Sequence, residues 1–155
     1  GPNIEHGKVS EVPVTGLDLL PTFYQLAGGN NNLNKLDGGS LVNLILNKSD
    51  RILRPKEALI FHQGSHRKPA SAIIKNQYKL IKYWEKDLKY PGTPRVELYN
   101  IYEDPFENND LIDSNKDIAD KLLAELLTSL EEYGGVTEKT SIESGVNRAW
   151  RAINN

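Results

Sequence analysis

The chain has 155 residues, 38% of them apolar and 26% charged, and a net charge of −2. It is long enough for one domain with a core, burying roughly two thirds of its unfolded surface, and no apolar run approaches the ~20 residues of a membrane span. The absence of cysteine excludes disulfides, thiolate metal sites and a cysteine nucleophile within this sequence.

Methionine is also absent and the chain opens Gly1-Pro2, so a processed or excised piece is expected; Gly-Pro reads either as native or as the scar of a tag protease. The small net charge hides an asymmetry. Lys75 to Arg95 holds six Lys/Arg against two acids, whereas Glu97 to Glu143 holds thirteen acids against three lysines. A basic strip beside an acidic helix suits an anionic small ligand or an intramolecular partner. Nucleic acid, which wants a broader basic field, is not an expected partner, and neither is a membrane.

In chain order, VTGLDLLPTFYQLAGG places Leu17, Leu20, Tyr24 and Ala27 on one helical stripe. Asp18 is the expected N-cap, with Pro21 in the first turn, where no N–H is needed, and Gly28-Gly29 as the stop. GGSLVNLILNK predicts a short helix capped by Ser40, with Leu41, Leu44 and Ile45 on its buried side. The period then changes. EALIFHQ (57–63), PASAIIKN (69–76), YKLIKYWE (78–85) and RVELYNIY (95–102) are β-branched and aromatic runs bounded by Gly, Pro or Asn. Asn76-Gln77 leaves room only for a tight turn between the second and third runs. The expectation is a four-stranded antiparallel meander.

The longest helix follows, with Ser114 as cap and Asp117 three residues on. Ile118, Leu122, Leu126 and Leu130 form its stripe, Ala119, Leu123 and Leu127 its flank, and Gly134-Gly135 its stop. This helix must cover one face of the sheet, since neither element alone buries its apolar side. The remainder is a polar tail with a short helix expected around 146–153. The result is an α+β fold preceded by two helices, the first with an apolar stripe that has no assigned partner in this chain.

The chemistry is sparse. The histidines are His6, His62 and His66. His62 and His66 are four apart, but Gly64 between them breaks a helix, so metal-ligand spacing is not available. There is no G-x-S-x-G, P-loop, G-x-G-x-x-G or calcium-hand loop. What remains is FHQGSHRKPAS, whose His62, His66 and Arg67 at a strand end suit gripping hydroxyls and an oxyanion; a solvated hairpin loop is the plainer reading. The lysines and tyrosines of 75–90 read as an exposed sheet face, with glycan binding by a stand-alone module as the alternative.

Taken in order, the pieces resemble the C-terminal third of a sulfatase of the arylsulfatase-like branch of the alkaline phosphatase superfamily. GPNIEHGKVSEVPVTGLDLLPTFYQLAGG is similar to that family's G-P-x-I, Val-Ser turn and D-L-x-P-T helix, and LDGGSLVNLI to its L-D-G-x-S-L segment. FHQGSHRKPASAIIKNQYKLI resembles its aromatic-His strand followed by Pro-Ala-Ser-Ala-Ile and Tyr-Lys-Leu-Ile strands, and ELYNIYEDPFENNDL its E-L-Y-D-L-x-x-D-P-x-E-x-x-N-L. The resemblance runs from residue 1 to about 133. It implies that 1–50 completes a larger α/β catalytic domain whose sheet covers the first helix, that 51–135 is the small C-terminal subdomain, and that 136–155 is a tail.

The resemblance further implies a sulfuric ester hydrolase. Its nucleophile is a formylglycine made from a C/S-x-P-x-R motif, and calcium with Lys, Arg and His steadies the sulfuryl oxygens. This sequence has neither cysteine nor S-x-P-x-R. The catalytic and metal residues are therefore expected elsewhere in the parent, and none is assigned here. The expected partners are the parent's N-terminal catalytic domain and a sulfated small molecule or glycan, and the family suggests a periplasmic or secreted setting. His62, at the aromatic-His position, with His66 and Arg67, is expected to line one wall of the substrate cleft. A phosphodiesterase or phosphonate hydrolase of the same superfamily is the alternative parent. There are two departures: Ile73-Ile74 stands where many relatives have Ala-Ile-Arg, and Asp110 stands at the Asn of N-L, altering a turn hydrogen bond. An isolated segment, its first helix uncovered, is expected to repack against a second copy, shift or remain mobile.

Overall fold

The computed structural model describes residues 3–30, 36–63, 69–84 and 95–135. The chain divides into two compact units, Gly1–Leu59 and Ile60–Asn155.

In the first unit a 3-10 turn, Gly16–Asp18, leads into α1, Leu19–Leu26, and a single-turn helix α2, Val42–Ile45, follows. Pro21 sits in the first turn of α1, as expected. Asp18 does not act as a simple cap of α1: it has helical dihedrals and makes no capping bond to that helix. Its carboxylate points inward. Oδ2 accepts the Thr15 N–H at 2.8 Å, Oδ1 accepts the Gly39 N–H at 2.9 Å, and Arg54 donates to both oxygens. One turn on, the Thr22 hydroxyl donates to the Asp18 carbonyl at 2.6 Å and accepts the Leu41 N–H at 2.8 Å. Asp18 and Thr22 are therefore the buried ridge of this helix, four residues apart on one face.

The expected apolar stripe lies on the outside. Leu17 and Leu20 are both 59% exposed, Tyr24 39%, and Phe23 and Leu26 62%. In α2 the buried residue is Val42, with Leu41, Leu44 and Ile45 half-buried. The N-cap of α2 is Leu41, one residue beyond the expected Ser40, whose Oγ accepts the Val42 N–H at 3.2 Å. Gly38 and Gly39 let backbones meet: a Cβ would lie 2.0 Å from the Leu17 carbonyl oxygen and 2.3 Å from that of Leu53.

β1 (Leu59–Gln63), which starts at the last residue of the first unit, β2 (Ala70–Lys75), β3 (Tyr78–Tyr83) and β4 (Val96–Asn100) form the expected four-stranded antiparallel meander, in the order β1-β2-β3-β4. Lys75 pairs with Tyr78, so Asn76-Gln77 is a two-residue turn, and Asn76 takes the positive φ of 54° that such turns demand. Ile73, Leu80 and Leu98 stand opposite one another across three strands and are fully buried. Against them packs α3, Lys116–Glu132, burying Ala119, Leu122, Ser129, Leu130 and the fully enclosed Leu126.

The N-cap of α3 is Asn115, one residue beyond the expected Ser114, whose hydroxyl lies within hydrogen-bond distance of the Leu111 carbonyl and of Asn115 Oδ1. Its end follows the glycine rule. Gly134 has φ 68°, the Gly135 N–H bonds the Leu130 carbonyl at 2.7 Å and the Gly134 N–H that of Glu131 at 3.2 Å, a Schellman closure. The short helix expected around 146–153 lies outside the described residues.

Candidate functional site at one end of the sheet

β1 ends, β2 begins, β3 ends and β4 begins at the same edge of the meander, so residues far apart in sequence gather there. At this end Ser71 of β2 is 1% exposed. The Trp84 indole N–H donates to its Oγ at 2.7 Å, and His62 Nδ1 lies 2.8 Å from the same oxygen. Lys82, opposite Ser71 across the ladder, places its Nζ 5.0 Å from the centroid of the Trp84 ring, in cation–π range. Trp84 extends the pairing past β3 through its N–H on the Pro69 carbonyl at 2.9 Å.

Strand alternation explains the placement. Ser71, Ile73 and Lys75 share one face of β2, the face α3 covers, and Lys75 bonds Glu125 on that helix at 2.9 Å. Ile73 fills the core, while Ser71, two residues on, brings a hydroxyl to the rim. His62 itself is exposed, and its Nδ1 lies within hydrogen-bond distance of the buried Ser71 hydroxyl. His66 and Arg67 lie outside the described residues.

The opposite face carries a second polar group. Glu97, 5% exposed, accepts the Tyr83 hydroxyl at 2.9 Å and Arg95 Nη2 at 2.5 Å. Burial, then the hydrogen bond and charge of Glu97, push the Tyr83 phenol up to about 12. Burial, with the charges of Glu97 and Asp110, does the same to Tyr99, also to about 12. Both phenols stay protonated at neutral pH and act as donors, not bases.

The described lysines of the basic strip have partners within the chain. Lys75 meets Glu125, Lys79 meets Glu107 at 2.6 Å, and Lys82 lies against Trp84. Of the two uses its charge suits, the intramolecular one accounts for these lysines. Asp110 makes its own turn: Oδ1 accepts the Leu98 and Ile112 N–H groups, both at 3.0 Å, tying the loop to β4.

In the first unit an open cavity of about 430 Å³ is lined by Pro21, Tyr24, Gln25, Ser40, Asn43 and Arg51 among others, with no carboxylate or imidazole in its wall. Among the described residues no group of three His, Cys, Asp or Glu side chains could hold a metal ion. The described residues therefore offer no ready calcium site.

Ser71 and Trp84 are not among the sequence candidates, and Lys82, expected on an exposed sheet face, is buried. The available signal was a serine in the buried phase of an apolar strand, together with a nearby indole that needs an acceptor.

The family model described as N-sulphoglucosamine sulphohydrolase, C-terminal, matches residues 2–133. No curated protein matches the chain. Among solved structures, the fold is similar to BT4656, described in complex with its substrate D-glucosamine-2-N,6-O-disulfate (21% identity, 84% of this chain, 26% of that chain, TM-score 0.62). It is also similar to a Bacteroides thetaiotaomicron structure described under the metabolism of multiple glycosaminoglycans (23% identity, 93% and 32%, TM-score 0.59). A third is BT1596, described as a 2-O GAG sulfatase (27% identity, 86% and 28%, TM-score 0.59). The chain thus spans between about a quarter and a third of the length of these structures.

Proposed function

From the premise that the chain belongs to the family of N-sulphoglucosamine sulphohydrolase C-terminal regions, we propose that it is the C-terminal portion of a sulfuric ester hydrolase acting on a sulfated saccharide. The observation that carries this reading is the family match across residues 2–133, about five sixths of the sequence. The description of BT1596 as a 2-O GAG sulfatase supports the substrate class.

In this reading the chain supplies structural support and one wall of the substrate cleft, and is inactive alone. His62, with His66 and Arg67, faces the sulfated ligand, the imidazole and guanidinium donating hydrogen bonds to its oxygens. The exposure of His62 and the approach of its Nδ1 to Ser71 support the assignment. The nucleophile, formylglycine, and its calcium belong to a catalytic domain outside this sequence. The exposed apolar residues Leu17, Leu20, Phe23 and Leu26 are the surface that this domain covers.

The test is sulfate release by the full-length protein, from sulfated mono- and disaccharides, with and without its formylglycine precursor residue. Release that depends on that residue is expected, and equal rates would overturn the enzymatic assignment. His62→Ala should raise KM about tenfold or more, the factor for a lost hydrogen bond to a charged group. An unchanged KM removes His62 from the cleft.

A further inference from the structure

We propose that the cavity of the first unit is a binding site for a sugar residue that carries one anionic group, a sulfate ester or a carboxylate. All its lining residues fall between Pro21 and Pro55, so a single unit builds it. Its volume of about 430 Å³ lies within the ~300–1,000 Å³ of small-molecule sites.

The lining chemistry sets the class. Arg51 supplies an exposed guanidinium that makes no ion pair or side-chain hydrogen bond among the described residues. No carboxylate shares the wall, so the field there favours a negative group. The planar fork of an arginine fits the paired oxygens of a sulfate or carboxylate. The Gln25 and Asn43 amides line the same space, and neither side chain has a hydrogen-bond partner among the described residues. Each amide offers two donors and an acceptor, a pattern that matches neighbouring sugar hydroxyls. Tyr24 adds an aromatic ring that can take the C–H face of a pyranose while its hydroxyl stays wet. An inorganic anion would use Arg51 alone, and a neutral sugar would leave it idle.

The wall is held in place by the protein itself. Asp18 accepts the Gly39 N–H at 2.9 Å and Thr22 the Leu41 N–H at 2.8 Å, which fixes the backbone on either side of Ser40. The Ser49 hydroxyl accepts the Arg51 N–H at 3.2 Å and donates to the Arg51 carbonyl at 3.0 Å, setting the start of that side chain. A Cβ on Gly29 would lie 2.3 Å from the Tyr24 ring, so the ring rests on bare backbone. Groups positioned before binding lose less freedom when the ligand arrives. Pro21 and Gln25 stand one turn apart on α1, whereas Phe23 lies about 160° round the helix from both, at ~100° per residue. Cover of Phe23 by the catalytic domain therefore does not require the cavity to close.

The test is hydrogen–deuterium exchange of the full-length protein, its formylglycine precursor residue replaced so that no sulfate is released, titrated with glucose 6-sulfate, glucuronate, glucose and sodium sulfate. Glucose 6-sulfate or glucuronate is expected to slow exchange in α1 and α2, and no slowing with either at millimolar concentration overturns the site. Equal slowing by glucose overturns the anionic class, and equal slowing by sodium sulfate overturns the saccharide class. Arg51→Ala should weaken the binding about tenfold or more, the factor for lost hydrogen bonds to a charged group. Arg51→Lys should recover part of the loss, because the charge remains and the fork does not. Arg51 is exposed, so both variants should keep the wild-type melting temperature. Unchanged affinity in Arg51→Ala overturns the assignment. The site and the enzymatic reading fail separately, because exchange is read without turnover: a protein that releases no sulfate can still show the site, and an active sulfatase can lack it.

Discussion

Arg54 clasps Asp18 with two nitrogens, Nε on Oδ1 at 2.8 Å and Nη2 on Oδ2 at 2.7 Å, and the two side chains are 6% and 0% exposed. The same Nη2 also reaches the Pro13 carbonyl at 2.8 Å. Together with the Thr15 and Gly39 amides on the carboxylate, this one ion pair joins four segments of the first unit. Arg54→Ala leaves a buried carboxylate without its cation and should cost about 3–5 kcal/mol. Arg54→Lys should recover only part, because an ammonium cannot make the two-pronged contact. Denaturant midpoints of the three proteins check both statements.

Acid should act through the same pair. Burial by itself raises the Asp18 pKa, but the Arg54 hydrogen bonds, the Gly39 and Thr15 amides and the Arg54 charge outweigh it and hold the carboxyl below its ordinary range. A folded pKa below the unfolded one means that the stabilisation is present above about pH 4, the unfolded value, and disappears as pH falls through the lower folded value. Unfolding free energy measured from pH 7 downward should fall more steeply below about pH 4 in the wild type than in Asp18→Asn, the two curves converging in strong acid.

Alkali should act through Tyr83 and Tyr99. Their phenols are raised to about 12, so their contribution is complete below about pH 10, the unfolded value, and is lost as pH rises toward 12. Phenolate absorbance should show two of the seven tyrosines ionising late. Tyr83→Phe should remove one late transition and cost about 1–3 kcal/mol, since buried Glu97 loses a donor.

The sheet–helix core offers a cavity test. Leu126 is fully buried on α3, and Leu126→Ala should cost about 2–5 kcal/mol. Leu127, 36% exposed on the same helix, should lose far less when changed to Ala. Thermal or urea unfolding of the two variants separates them, and equal losses would contradict the orientation of α3.

Gly134, at φ 68°, closes α3 in a conformation that a Cβ resists. Gly134→Ala should cost about 1 kcal/mol, although a Cβ there meets nothing within 4 Å. The loss should appear as faster hydrogen exchange in the last turn of the helix.

Much of the second unit is legible in the sequence because its determinants are local. Alternation in PASAIIK and YKLIKY, the Asn76-Gln77 turn and the Gly134-Gly135 stop each depend on backbone sterics within a few residues, and a short window contains them. The stripe of α3 departs from the expected one at its start: Ile118 is only half-buried, and Ala119 faces the core. The first helix was harder. Its apolar residues are in plain view, yet its buried face is Asp18 and Thr22, because the groups that satisfy them, Gly39, Leu41 and Arg54, arrive from 19 to 36 residues away.

The sequence by itself determined the element types, the meander, the turn and the family, because periodicity, turn chemistry and ordered motifs are properties of neighbouring residues. Only the tertiary structure decided that Asp18 is an ion-pair hub and not a simple cap, that Lys75 and Lys79 are matched by carboxylates, and that His62, Ser71 and Trp84 meet at one hydroxyl. Those outcomes depend on which distant groups the strand register and chain closure bring within 3 Å. A buried polar atom must take whatever partner arrives there, and no local window states which one that is.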